Sequence, residues 1–230
     1  MNSVTLNGIS SSTITGLLIQ ELPPISKPLV RTQIDVIDGR DGDIVTRLGY
    51  SAYDKEMSIG LHGSYNINDV INFFASEGNV TFSNEPDKYY RYQILEQIDF
   101  ERLVRFRTAT VSMHVQPYKY SATEQPKSVP SGTTTVVNSG NVVSRPTLSI
   151  RGTGTVTVTL NGQQILTLSL GTNDTITINS ETLEAYNGGI LRNRSVVGDY
   201  SSLALNVGSN TIKLTGTVSA GEMTNYSRWI

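Results

Sequence analysis

The sequence has no cysteine, which excludes a disulfide scaffold, a thiolate zinc site and a thiol nucleophile. It has 2 histidines, His62 and His114, too few for a multi-histidine metal centre within one chain. It has no surplus of positive charge: 18 basic against 20 acidic side chains leave a net charge of −2. A protein that holds nucleic acid by neutralising phosphates needs a basic excess or a basic face. No apolar run approaches the length of a bilayer-spanning helix, so no membrane partner is expected. The first residues, MNSVTLNGISSSTITGLLIQ, lack the basic and apolar segments of a secretory signal. Synthesis in a cytoplasm is therefore expected.

What is present is mainly β pattern in 230 residues, enough for one large or two modest domains. Charged side chains are more than twice as numerous before residue 130 as after it, where Ser and Thr take over. The change falls beside Pro117–Ser131, PYKYSATEQPKSVPS, whose prolines and small polar residues mark a linker. Two domains follow, 1–128 and 129–230.

In the first domain the cleanest strand is Thr108–Gln116, where Ala109, Val111, Met113 and Val115 hold every second place. Further strands are expected at Val4–Leu6, Gly16–Gln20, Gln33–Ile37, Ile44–Leu48, Glu56–Leu61, Tyr89–Ile94 and Gln97–Phe106, with Asn7-Gly8 as a turn. One short helix is expected: Asn66 caps it, Ile67, Val70, Ile71 and Phe74 recur at helical spacing, and Gly78 ends it. The second domain reads as a sandwich of short strands. Val156, Val158 and Leu160 alternate, Asn161-Gly162 turns the chain, and Leu166, Leu168 and Leu170 alternate in the return strand.

Chemistry is sparse. Asp38-Gly39-Arg40-Asp41-Gly42-Asp43 has the acids of a calcium loop, but Arg40 intrudes and strands flank it, so a polar hairpin tip is the simpler reading. Neither histidine lies near a nucleophile motif, and no G-x-S-x-G elbow is present. No enzymatic activity, cofactor or metal is therefore expected. Arg91, Arg102, Arg105 and Arg107, interleaved with Tyr89, Tyr90, Tyr92 and Phe106, have the types that stack on bases. Pairing with Glu96, Asp99 or Glu101, or contact with another subunit, suits an acidic chain better. In the second domain Tyr186, Tyr200, Tyr226 and Trp229 are candidates for a sugar platform, against the plainer reading that Trp229 fills a core.

The order of several phrases carries more. LNGIS…TGLLIQELPPI, VIDGRDGDI, GYSAYDKEMSIGLHG and TATVSMHVQPYKY resemble the N-terminal domain of siphophage distal tail proteins, with Pro117-Tyr118-Lys119-Tyr120 as the phrase that leads into the second domain. GTTTVVNSGNVVSRPTLSIRGTGTVTVTLNG, ITINSETLEAYNGG, NRSVVGDYSSLALNVGSNTIKLTG and the closing SRWI resemble that family's galectin-like C-terminal β-sandwich. The resemblance implies a structural virion protein of the bacteriophage tail tip. Six copies would form a homohexameric ring through their N-terminal domains, joining the tail-tube protein to the tail-associated hub protein. The sandwiches would project toward receptor-binding or other baseplate proteins, and DNA would pass the lumen without specific binding.

The second domain carries no insertion large enough for an added carbohydrate-binding module, so host-sugar binding of the kind seen in long relatives is not implied. For the ring interface the candidates are the hairpin over Arg31–Asp43, with Arg31, Asp38, Arg40 and Asp41, and the arginine strand, with Arg105 and Arg107. A carbohydrate-binding module recognising host cell-wall sugar is the alternative function.

Overall fold

A computed structural model describes residues 1–230, which divide into two compact units, Met1–Ala122 with Ile230, and Thr123–Trp229. The division falls inside the Pro117–Ser131 stretch.

In the first unit, β1 (Val4–Leu6), β2 (Ile9–Ser10), β3 (Leu17–Glu21), β4 (Val30–Val36), β5 (Asp43–Tyr50), β6 (Tyr53–Leu61), helix α1 (Ile67–Phe73), β7 (Glu77–Phe82), β8 (Lys88–Gln93), helix α2 (Phe100–Phe106) and β9 (Thr108–Ser121) follow in order. The main sheet has the order β2-β1-β7-β8-β9-β6-β3, all neighbours antiparallel. Its buried side carries Met57, Ile59, Val80, Phe82, Tyr90, Tyr92, Val111, Met113 and Val115, against Val70 and Phe73 of α1 and Leu103 of α2. β4 and β5 stand apart as a two-stranded sheet of their own.

Three expectations need correction here. Gln97–Phe106 is not a strand, and the unit has a second helix. The Asp99 carboxylate accepts from the Arg102 amide at 2.8 Å, Leu103 is fully buried, and Arg107 stops the turn with a φ of 61°. An Asx cap with apolar residues at i and i+3 outweighed an ambiguous alternation. Second, α1 ends at Phe73, and Gly78 lies within β7, a strand the sequence pattern did not disclose. A Cβ at Gly78 would collide with the Asn7 side chain, which accepts from the Asn79 amide at 2.8 Å and donates to the Glu77 carbonyl at 3.1 Å. Glycine serves a close approach there, not a helix end. Third, Pro117-Tyr118-Lys119-Tyr120 belongs to β9. Pro117 falls at the register shift between the Tyr92–Val115 and Tyr90–Lys119 pairs, where a missing amide does least harm.

The second unit is a β-sandwich. β10 (Lys127–Ser128), β11 (Gly132–Asn138), β12 (Thr147–Leu160), β13 (Gln163–Asn179), β14 (Glu184–Asn187), β15 (Ile190–Leu191), β16 (Val196–Gly198) and β17 (Gly208–Thr224) form the order β10-β17-β12-β13-β14-β15, with β11 also on β17 and β16 also on β13. The expected hairpin is β12–β13, turned by Asn161 and Gly162 with φ of 49° and 86°. Its strands are 14 and 17 residues, not short. A register shift between Gly152 and Gly154 interrupts the ladder, so one long strand bends and lines both walls of the core. That core holds Leu148, Ile150, Val156, Val158, Leu166, Leu168, Ile176, Ile178, Ile212 and Leu214, all at most 1% exposed.

Candidate docking surface

The β4–β5 hairpin is a blade with a firm base. Register places Val30, Thr32, Ile34 and Val36 of β4 opposite Tyr50, Arg47, Val45 and Asp43 of β5, so these eight share one face. Arg31, Gln33 and Asp35 lie on the other with Gly49, Thr46 and Ile44. The first face is apolar along its middle and nothing covers it: Ile34 is 58% exposed, Val36 75% and Val45 58%. An isolated two-stranded hairpin is marginal in water, and an exposed apolar face on one marks a surface that meets something. Arg31 donates to the Leu48 carbonyl at 3.3 Å and Gln33 to Asp35 at 3.0 Å, contacts confined to the blade itself.

At the tip, Gly39 and Gly42 take φ of 80° and 76°, and the Arg40 amide donates to the Ile37 carbonyl at 3.2 Å. This is the polar hairpin turn that the sequence indicated. Asp38, Arg40, Asp41 and Asp43 are exposed around it and make no ion pair.

The base is pinned from below. Asn84 donates to the Pro23 carbonyl at 3.0 Å, Lys55 to the Pro24 carbonyl at 2.7 Å, and the Ser51 amide to the Leu29 carbonyl at 2.9 Å. Lys55 is only 3% exposed, with its ammonium 5.0 Å from the Tyr90 ring centre, 5.6 Å from Tyr53 and 5.8 Å from Phe82. Beside it Glu85 accepts from the Tyr90 hydroxyl and from Lys119, each at 2.6 Å. Burial pushes the Lys55 pKa down, partly offset by Glu85, and pushes the Tyr53 and Tyr90 hydroxyls up. Sequence reading passed over this cluster. Its signal was a lysine in the apolar register of β6, at the parity of Met57, Ile59 and Leu61.

The other interface candidates separate. Arg105 lies on α2, exposed with Arg102 and Phe106, and neither guanidinium pairs with Glu96, Asp99 or Glu101 as the sequence had suggested. Arg107 turns away, its guanidinium 4.8 Å from the Tyr65 ring centre. Arg91 sits 4.6 Å from the centre of Tyr120, which itself stacks on Tyr89, so these groups are engaged within the unit rather than open to bases. His114 pairs with Asp54 at 2.7 Å, and His62 is exposed on the segment that enters α1.

The sugar-platform candidates lie on separate elements. Tyr186 is half-buried in β14, and Tyr200 packs on the core with its hydroxyl buried and unpartnered. Tyr226 follows β17 with a φ of 55°, and Trp229 is half-buried near the end of the unit. The three tyrosines make no ring contact with one another.

No family model matches the chain, and no curated protein matches it. Solved structures do. The Dit protein (gp 19.1) of phage SPP1, described as a paradigm of the hub adsorption apparatus in phages infecting Gram-positive bacteria, aligns at a TM-score of 0.72 with 17% identity, covering 100% of both chains. The phage P2 baseplate in its activated conformation, solved with calcium and with strontium, aligns at 0.56 with 11% identity, over 98% of this chain and 97% of the other. The chain has the fold of these phage hub and baseplate proteins from end to end.

Proposed function

We propose that the chain is a distal tail protein, a non-enzymatic structural part of a siphophage virion. Six copies form a ring at the tail tip through their N-terminal units. The ring joins the tail tube to the tail-associated hub protein and leaves a lumen through which DNA passes. The C-terminal sandwich, galectin-like in this reading, offers its surface to receptor-binding or other baseplate proteins. The end-to-end likeness to hub and baseplate folds supports this assignment.

The observation that carries self-assembly is the bare apolar face of the β4–β5 blade. Covering Ile34, Val36 and Val45 is worth about 1.5–3 kcal/mol per side chain, enough in concert to hold a subunit contact. A blade on one subunit that meets a different patch on the next gives a heterologous contact, the kind that closes into a ring.

Light scattering over a concentration series, with negative-stain images of each peak, tests the reading. Six-fold rings are expected, and a double substitution Ile34→Asp with Val45→Asp should leave a folded monomer. Rings that persist in that variant would remove the blade from the interface. A wild-type chain that is monomeric at every concentration would overturn autonomous assembly.

A further inference from the structure

Asparagine is followed by glycine at three places, Asn7-Gly8, Asn161-Gly162 and Asn187-Gly188. Glycine has no side chain to shield its nitrogen, so in such a pair the backbone amide can reach the carbonyl carbon of the preceding side chain. All three asparagines are exposed, so access does not distinguish them. Hydrogen bonding does. Asn7 accepts from the Asn79 amide at 2.8 Å and donates to the Glu77 carbonyl at 3.1 Å, both in β7. Asn161 accepts from the Thr211 amide at 2.8 Å and donates to the Asn210 side chain at 2.9 Å, both in β17. Each of these amides is anchored to another strand at its oxygen and at its nitrogen. Asn187 has a single contact, from its nitrogen to an Asp174 carboxylate oxygen at 3.2 Å, and its oxygen is free.

That contact matters to the β14–β15 hairpin. β15 is the last strand of its sheet, Ile190 and Leu191 are exposed, and Ala185 is the one fully buried side chain of the pair. Polar ties therefore hold it. Its base is fixed by the Arg192 amide on the Ala185 carbonyl at 2.7 Å and by the Ala185 amide on the Asn193 side chain at 2.6 Å. Its tip is fixed through Asp174, which accepts from Asn187 and, at 2.6 Å, from the Arg192 guanidinium.

We propose that Asn187 is a site of spontaneous deamidation that releases the tip of the β14–β15 hairpin. The Gly188 nitrogen bonds to Asn187 Cγ, the Cγ–Nδ2 bond breaks, and the Gly188 amide proton leaves with Nδ2 as ammonia. Water then opens the cyclic imide. Addition at Cγ gives aspartate; addition at the main-chain carbonyl carbon gives isoaspartate, with the chain running through the former side chain. Either product replaces the donor that faces Asp174 with a carboxylate. Two carboxylates in one site repel, and the new one competes for Arg192. Isoaspartate also adds a methylene to the main chain beside the Asn187–Ile190 pair, which the two-residue turn cannot absorb in register. This modification is independent of the assembly reading above.

Peptide mapping of the folded protein, held for days at mildly alkaline pH where the Gly188 amide loses its proton more readily, tests the site. Cleavage at Glu181 and Glu184 separates Asn161 from Asn187, and fragment ions place the conversion. Conversion at Asn187 should run about tenfold or more faster than at Asn7 or Asn161, where two hydrogen bonds must break first. In denaturant the three rates should converge. Equal rates in the folded protein, or an unchanged lead of Asn187 in denaturant, would overturn the assignment. Amide hydrogen exchange on Asn187→Asp, which fixes one product, tests the consequence. Protection should fall over residues 186–191 and hold in β12 and β17. Unchanged protection at the hairpin, or a loss spread through β12 and β17, would overturn the local release.

Discussion

Two hairpins in this molecule are built by the same local rules and meet opposite fates. β12–β13 alternates apolar and polar residues, turns on Asn161-Gly162, and buries Leu148, Ile150, Val158, Leu166 and Leu168 to 1% exposure or less. β4–β5 also alternates and also turns on glycine, yet every residue from Arg31 to Gly49 is exposed. The difference lies in what each hairpin is offered. β12 and β13 are joined by β17, β14 and β16 and fold over themselves at Gly152–Gly154, so their apolar faces close on one another. β4 and β5 have no third strand and no facing layer within the chain. Periodicity tells which face of a hairpin is apolar; it does not tell whether the chain itself supplies the cover.

The sharpest way to break this pairing is to place the same substitution at matched positions. Val158→Asp puts a carboxylate into a site with 0% exposure and no cation to meet it, and should cost about 3–5 kcal/mol, enough to unfold the second unit. Ile34→Asp, at a position of equal pattern but 58% exposure, should shift the monomer by about 0.5 kcal/mol or less and act on association instead. Thermal melts followed by circular dichroism, with light scattering on the same samples, read both. A large loss of melting temperature in Ile34→Asp would mean that the blade is stabilised within its own chain.

A smaller effect separates the units by pH. In the first unit burial raises the pKa of Tyr53, Tyr90 and Tyr92 above the ordinary 10.0; the second unit contributes Tyr200. The unfolded tyrosines give up protons first, so the stability tied to these groups is complete below pH 10 and falls as pH rises beyond it. Lys55 works in the opposite sense, because its lowered pKa makes the buried ammonium costly until pH reaches its ordinary 10.5. Above that value only the tyrosine loss remains.

On the acid side the second unit is the more exposed to loss. Asp174 is held low by the Gly171 amide and Arg192, and Asp199 by Ser201 and Ser202, so their contribution fades as pH drops below 3.8. Amide hydrogen exchange reads the two units separately, and the second unit's core should outlast the first unit's in alkali and open no later than it in acid. Coincident transitions at both extremes would show the units unfolding as one.

These comparisons also explain what could be seen in the sequence. The β12–β13 hairpin, the Asn7-Gly8 and Asn161-Gly162 turns and the Asn66 cap were legible because short-range steric rules decide them. β7 was not, since its glycine answers to the Asn7 side chain more than seventy residues away. The blade's charged and glycine-bearing tip was legible as a turn, whereas the bareness of its face was not, because exposure is set by the absence of a neighbouring layer. Lys55 shows the same limit in reverse. Its parity placed it with the core, but the Tyr90, Tyr53 and Phe82 rings, the Pro24 carbonyl and the nearby Glu85 carboxylate are what make that place tolerable for an ammonium.

α2 offers the mildest perturbation. The Asp99 carboxylate satisfies the Arg102 amide, and its removal in Asp99→Ala should cost about 1 kcal/mol. Seven residues form few internal hydrogen bonds, so the cap and the burial of Leu103 hold this helix in place. Asp99→Ala should therefore fray α2 while the sheet beneath it stays formed, as amide hydrogen exchange over residues 99–106 against β9 would read. Asp99→Asn keeps the capping oxygen and should restore protection. If Ala and Asn exchange alike, tertiary packing alone holds α2, and the cap that distinguishes this helix from the expected strand carries no weight.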